Sequence, residues 1–402
     1  MSVTQDMAVG LDSWSFVVRD DQHIDLLRAP FPEPRASPTD LTREALEKPF
    51  AFEPLRRALT PDDRITLVLD PNIPKLGVII TEVFTHLASA GVNIESVTVL
   101  TPPGTSDSWL EAIPEEFDNV RTEVHDPEER KKLAYLASTA GGRRLYLNRT
   151  LVEADFIIVV SACGYDPLSG YSGAVTSLFP VLSDTETRAA FAGELHVRAP
   201  GDNPWPVRAE ATEVVSLLGM PFFVQVVEGR GDTVQEIVAG LSNSCREAIR
   251  KHDLIWRCTV AEEPDTVIVA VGGDPSRITF LEVAKAAACA ARVAKKGGRI
   301  AILTDSAPPL GDGARLLRSM DGPNGARRLL EKEKPSDWAA AYLWAFAAKH
   351  HSLFLASRYP DDLAEELFAT PLHSAIEAQR LIDSSSRVLL IPDAHKTMVT
   401  VE

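Results

Sequence analysis

Cysteine is scarce and scattered in this chain of 402 residues. The four, Cys163, Cys245, Cys258 and Cys289, show no C-x-x-C spacing. That excludes a disulfide framework and a cysteine zinc site, and reads as reduced thiols of a cytoplasmic protein. Long apolar runs are also missing. No stretch reaches the roughly 18 residues of a membrane span, and the first 19 residues carry Asp6 and Asp12 where a signal sequence would be apolar. Positive charge is in deficit: Lys and Arg total 41 against 57 Asp and Glu, a formal net charge of -16. Such a surface repels nucleic-acid phosphates and anionic lipid, while a local basic pocket for a small anion is still allowed. There is no internal repeat, low-complexity segment, Ser-His-Asp spacing, zinc motif, Walker loop or basic-aromatic patch.

What is present is ordinary globular material, 45% apolar and 24% charged, in a chain long enough for two cores. After an entry region with an edge strand over 13–18, a Pro-rich loop over 29–38 and a helix over 39–48 capped at Thr39 or Asp40, an α/β alternation begins. Buried strands are expected over 64–69, 97–100 and 156–160, with helices over 74–90 and 109–113. A second set has strands over 266–271, 299–303, 353–356 and 388–391, with helices over 278–294 and 336–349. Continuous apolar runs alternating with helices predict parallel sheets covered on both faces. The fold expected is therefore α/β: two α/β domains, 1–260 and 261–402, with mainly parallel sheets and a cleft between them. In such sheets ligands bind at the carboxyl ends of strands, where Asp70, Thr101 and Gly164 stand. The block 331–334 reads as a solvated helix end, and Gly311-Asp312-Gly313 as a turn.

Several motifs follow one another in a fixed order. Ala154-Asp155 precedes the strand FIIVV. Gly170-Tyr171-Ser172-Gly173-Ala174-Val175-Thr176-Ser177 follows it, and small residues there let backbone amides approach an anion. Taken alone, such a loop is a weak signal and reads first as a plain turn into a helix. Gly272-Gly273-Asp274-Pro275 comes next, with Lys285 ten residues later. Then come Asp337-Trp338, His350-His351 before a strand, and Ile391-Pro392-Asp393. Over residues 60–402 this series resembles the nickel-pincer lactate racemase family, whose loop Gly-Phe-Ser-Gly-Gly-x-Lys cradles a nucleotide phosphate.

The resemblance implies a two-domain α/β fold and 2-hydroxy acid racemase or epimerase activity. It also implies a sulfur-containing pyridinium nucleotide that carries nickel, is tethered by a lysine thioamide, and accepts a hydride while two histidines move the hydroxyl proton. This sequence departs from that pattern. Thr176 stands at the tether, Asp166 at the first catalytic histidine, and no histidine lies between His86 and His125, where the second should fall near Gly104. The nickel-binding histidine should fall near Ala192, and the nearest is His196. A substrate-gripping arginine should sit near Ile73, where Lys75 is the nearby cation. Asp70, Lys285 and Trp338 are retained, and Glu282 occupies the place of a substrate-contacting glutamine. Since Thr176 cannot form a thioamide, the covalent nickel cofactor is not expected. A noncovalent nucleotide on Gly170, Ser172, Gly173 and Ser177 is left open.

Each candidate also has a bland reading. His196 without partners at ligand spacing is a surface loop histidine. Asp166 is a ligand-facing carboxylate or a loop aspartate. Glu282 and Lys285 lie three apart on one helix face and are a solvated ion pair or two charges facing a pocket, since the helix is otherwise apolar. Trp338 is pocket wall or core. Two functions stay open. One is a diverged isomerase-like enzyme acting on a small 2-hydroxy acid or related anion with altered chemistry, using Asp70, Asp166 and Lys285 with Lys75, Glu282 and Trp338 around the substrate. The other is a non-catalytic paralogue that binds a small anion, a nucleotide or a partner protein. Convergent polar groups around Asp70, Asp166 and Lys285 would favour the enzyme.

Overall fold

A computed structural model describes residues 3–10, 12–18, 23–26, 33–139, 142–191, 195–201, 205–333, 335 and 337–402. Its frame is two six-stranded sheets. The first runs in the order Val234–Gly240, Phe222–Glu228, Phe156–Cys163, Ile65–Leu69, Val97–Thr101, Arg121–Val124. All of its pairings are parallel except the hairpin at the Val234–Gly240 edge. The second runs Ala369–Pro371, Ser352–Ala356, Arg299–Leu303, Thr266–Ala270, Arg387–Ile391, His23–Leu26, with every pairing parallel. The α/β class with mainly parallel sheets follows from the apolar runs. Ile65–Leu69 and Thr266–Ala270 are buried at every position, as strands covered on both faces must be.

The central helix of the second sheet, Phe280–Ala291, buries nine of its residues. Its alanines let it lie close against Trp338–His350, where Phe280 and Trp344 meet at 5.5 Å. The first helix starts earlier than expected. Ser37, not Thr39 or Asp40, is its N-cap, accepting from the Asp40 amide at 3.2 Å, because Pro38 supplies the fixed φ of a first helical position. Gly311 caps a helix, Asp312–Arg318, instead of closing a simple turn.

The chain's beginning does not stay with the first sheet. The hairpin Val3–Val9 and Asp12–Val18 puts Met7, Val9 and Phe16 into a core with Ile268, Ala301 and Leu390 of the second sheet, and His23–Leu26 pairs with Arg387–Ile391. Near the other end, Met398–Val401 pairs in parallel with Arg257–Val260. The two sheets aim the carboxyl ends of their strands at a common space. Asp70, Gly164 and Glu228 lie on one side, Gly272 and His395 on the other.

Candidate functional site

That space is a cavity of about 280 Å³. Four of the residues singled out in the sequence line it together: Asp70, Asp166, Glu282 and Lys285, with Ser172 of the glycine loop. Two others stand elsewhere. Lys75 is exposed, at φ 57° on the entry to the helix Leu76–Ser89. Trp338 is 8% exposed and packs on Tyr342 at 5.8 Å within the second core, outside the cavity lining.

Asp70 closes its strand by donating its amide to Val160 O at 2.9 Å, and its Oδ1 accepts from the Asn72 amide at 3.0 Å. Burial raises its carboxyl pKa above the ordinary range; the Asn72 amide lowers it, while Glu228 and Glu282 raise it further. Asp166 has one oxygen committed. Its Oδ1 accepts from the amides of Leu168 at 3.0 Å and Ser169 at 2.7 Å and from Ser169 Oγ at 2.7 Å, shaping the turn between Tyr165–Asp166 and Gly170–Tyr171. Glu282 belongs to a capping box with Thr279 and sits 3.9 Å from Lys285 Nζ.

The sequence reading missed half of the charged lining. Glu228 ends its strand between two cations, Lys396 at 2.9 Å and Arg277 at 3.6 Å. Burial pushes its carboxyl up, but Lys396 and Arg277 outweigh that and bring it below the usual value. Lys396 also donates to Gly229 O at 3.1 Å and Gly231 O at 2.5 Å. Arg277 pairs with Asp232 and donates to Asn72 O at 2.6 Å, while Asn72 returns a side-chain bond to Arg277 O at 3.3 Å. These contacts bridge the two sheets. The turn Gly272-Gly273 permits them: a Cβ at Gly272 would lie 2.5 Å from Asp393 Oδ1, which accepts from the Gly231 amide at 3.2 Å.

Two histidines were also missed. His395 lines the cavity with a buried Nδ1 that has no hydrogen-bond partner among the described residues. Burial, then Lys396, Lys285 and Arg277, hold it neutral far below its ordinary pKa. His252 stands edge-on to Tyr165 at 4.6 Å, with Nδ1 3.5 Å from Asp253 Oδ1, and burial likewise depresses it. The cavity thus holds an ammonium with spare hydrogen-bonding capacity, a neutral imidazole with a ring nitrogen unpartnered among the described residues and a carboxyl inclined to keep its proton.

The glycine loop is built differently from expectation. It was expected to open a helix with free amides, yet the helix is the single turn Val175–Leu178. The amides of Ser172, Ala174, Thr176 and Ser177 donate to Gly164 O, Ser161 Oγ, Gly173 O and Ala174 O at 2.8 to 3.3 Å. Gly173 has a packing reason to be glycine. At φ +80° its missing Cβ would fall 2.3 Å from Ala162 O. Thr176 has no amine, and its hydroxyl donates to Gly173 O at 3.0 Å. The tethered nickel nucleotide therefore does not fit this loop. Among the described residues no group of three or more His, Cys, Asp or Glu is placed to hold a metal ion. Ala192, the expected nickel-ligand position, lies outside the described residues, and His196 packs edge-on to Trp205 at 5.1 Å. No helix among the described residues is long and apolar enough to cross a membrane.

Compared with known proteins, residues 9–195 match the lactate racemase N-terminal domain. Over 389 residues the chain is 21% identical to the lactate racemase of Thermoanaerobacterium thermosaccharolyticum, covering 90% of this chain and 91% of that protein. The structure of the lactate racemase apoprotein from that organism superposes with a TM-score of 0.80 at 18% identity, over 99% of this chain and all of the other. A Thermotoga maritima protein of solved structure superposes with a TM-score of 0.70 at 14% identity, over 90% and 98%. At such identities the structural likenesses speak for the fold.

Proposed function

Because the chain belongs to the lactate racemase family, we propose that it is a diverged, isomerase-like enzyme that binds a small 2-hydroxy acid or related anion in the cleft between its sheets. Its chemistry is altered: with Thr176 at the tether, no step runs through a covalent nickel nucleotide. The observation that carries the reading is the state of the cavity's three described cations. Arg277 and Lys396 are occupied by carboxylates and backbone oxygens. Among the described residues Lys285 has Glu282 alone, at 3.9 Å, and it lines the cavity. A substrate carboxylate completes it.

Around that anchor, Glu282 fixes the direction of Lys285 through its own bond to the Thr279 amide at 3.1 Å. The neutral imidazole of His395 offers the ligand an Nδ1 that is unpartnered among the described residues, and Asp70, inclined to stay protonated, can donate a hydrogen bond to the ligand. These groups support hydrogen bonding to the hydroxyl-bearing end of the ligand, with Asp70 as the proton donor. They do not supply the hydride acceptor that lactate racemisation in this family uses. Calorimetric titration with 2-hydroxy acids, starting from L-lactate, tests the reading. Lys285→Met should weaken binding at least tenfold, the worth of a charge-assisted hydrogen bond. No heat from any 2-hydroxy acid at millimolar concentration overturns it. Binding without turnover of any bound acid would instead assign the chain to the non-catalytic, anion-binding reading.

A further inference from the structure

A second cavity, of about 290 Å³, opens beside the glycine loop and shares Asp70, Asp166 and Ser172 with the cleft. The two spaces meet at those residues, yet their walls differ in kind. Lys285 and Glu282 line the first; neither lysine nor arginine lines the second. Its walls are apolar: Val68, Leu69, Leu168, Pro180, Val181 and Val207. Three of the four hydroxyl side chains there bond within the protein: Ser169 Oγ lies within hydrogen-bond reach of Asp166 Oδ1 and Tyr171 O, Thr176 Oγ1 donates to Gly173 O, and Ser172 Oγ lies 3.3 Å from Gly164 O, while Ser177 also lines the wall.

A phosphate placed here would meet the carboxyl groups of Asp70 and Asp166 at the mouth and no cation, with four of the loop's amides already bonded within the protein. Its desolvation would go uncompensated. An apolar group needs none of those partners. Engineered apolar cavities of about 150 Å³ stay dry and take up benzene, and this one is nearly twice as large.

We propose that this cavity is the tail pocket of the cleft's ligand, so that the chain selects 2-hydroxy acids bearing an apolar substituent of phenyl size or longer. The carboxylate sits at Lys285, the hydroxyl-bearing carbon passes Asp70 and Asp166, and the tail lies between Val207 and Pro180. The inference rests on the proposed binding of a 2-hydroxy acid in the cleft and adds which one.

The test is a calorimetric series on the whole chain: lactate, 2-hydroxyhexanoate, 2-hydroxyoctanoate and 3-phenyllactate, with nicotinic acid mononucleotide as a competing occupant. Affinity should rise about fourfold per added methylene until the pocket is filled, and phenyllactate should outbind lactate by at least tenfold. Val181→Trp places a ring in the half-buried wall. It should collapse the octanoate-to-lactate affinity ratio toward one, with a melting curve confirming that the variant folds; if it does not fold, the wild-type series decides alone. Equal affinities across the series would overturn the tail pocket and leave the anion site standing. Silence from every acid would overturn both. Nucleotide binding abolished by Val181→Trp would overturn the tail pocket in favour of a nucleotide site.

Discussion

Arg277, in the short turn Pro275–Arg277, and Lys285, in the helix Phe280–Ala291 that follows, face the same cavity, and they do different things. Arg277 is engaged on all sides, by Asp232, Glu228 and Asn72 O, and holds one sheet's edge to the other. Lys285, eight residues on, has a single carboxylate among the described residues, at 3.9 Å. The difference teaches that a cation in a cleft is not by itself a ligand site. What distinguishes the two is hydrogen-bonding capacity left over after the fold is satisfied.

The contrast breaks most readily at Arg277. Replacing it with Ala leaves Asp232 with the Asp274 amide, removes half of the Glu228 pairing and breaks the bond to Asn72. A loss of about 3 kcal/mol of unfolding free energy is expected from denaturant titration. A loss below about 1 kcal/mol would mean that the clamp is ornamental and that Arg277, too, is free for ligand.

Acid probes the same cavity more gently. His86, His125, His252, His351 and His395 are all held below the ordinary histidine value, with burial the first cause in each. A depressed folded-state pKa gives stability that is present above the unfolded value and lost as pH falls through the folded one. Stability should therefore decline below about pH 6.5, by at most about 1.4 kcal/mol per pH unit for each histidine. Asp70 and Asp393, raised by burial, act in the opposite sense, since protonating them on acidification favours the folded state. Urea unfolding at pH 8, 6.5 and 5.5 measures the net slope, and His395→Gln should make it shallower. An unchanged slope in that variant would mean that His395 is not held neutral.

Lys285→Met should be the mildest for the fold. Its partner Glu282 keeps the Thr279 cap, so a change within about 1 kcal/mol is expected in the same titration. A loss as large as that of Arg277→Ala would erase the distinction between the two cations and place Lys285 among the structural clamps.

How much of this was legible in the sequence depends on where each residue lies in the chain. Asp70 follows a buried apolar run, so the strand-end rule found it, while Asp166 was found through the ordered resemblance. Glu282 and Lys285 stood out as charges in an alanine-rich apolar helix. Glu228 was missed because its strand, Phe222–Glu228, had not been recognised, and neither had the helix Ser244–Trp256 that carries His252. His395 was within reach of the same rule, four residues beyond the end of the strand Arg387–Ile391, but Ile391-Pro392-Asp393 drew attention as a motif and the histidine after it did not. The glycine loop shows the opposite failure. Its letters suggested an anion cradle, while the positive φ of Gly173 and the approach of Ala162 O are three-dimensional facts that no spacing encodes. Trp338 belonged to the ordered resemblance, yet its indole is needed by the core beneath it.

The path of the chain has a mechanical consequence. The opening hairpin and His23–Leu26 belong with the second sheet, and the chain returns to that side at Arg257–Val260, which pairs with Met398–Val401. Everything between is a long excursion that leaves the second body once and re-enters it once. A body held by two such straps cannot swivel freely about either. Two straps oppose swivelling more than one would, and the bonds of Arg277 and Lys396 across the cleft add clasps on the side where Lys285 and Asp70 stand.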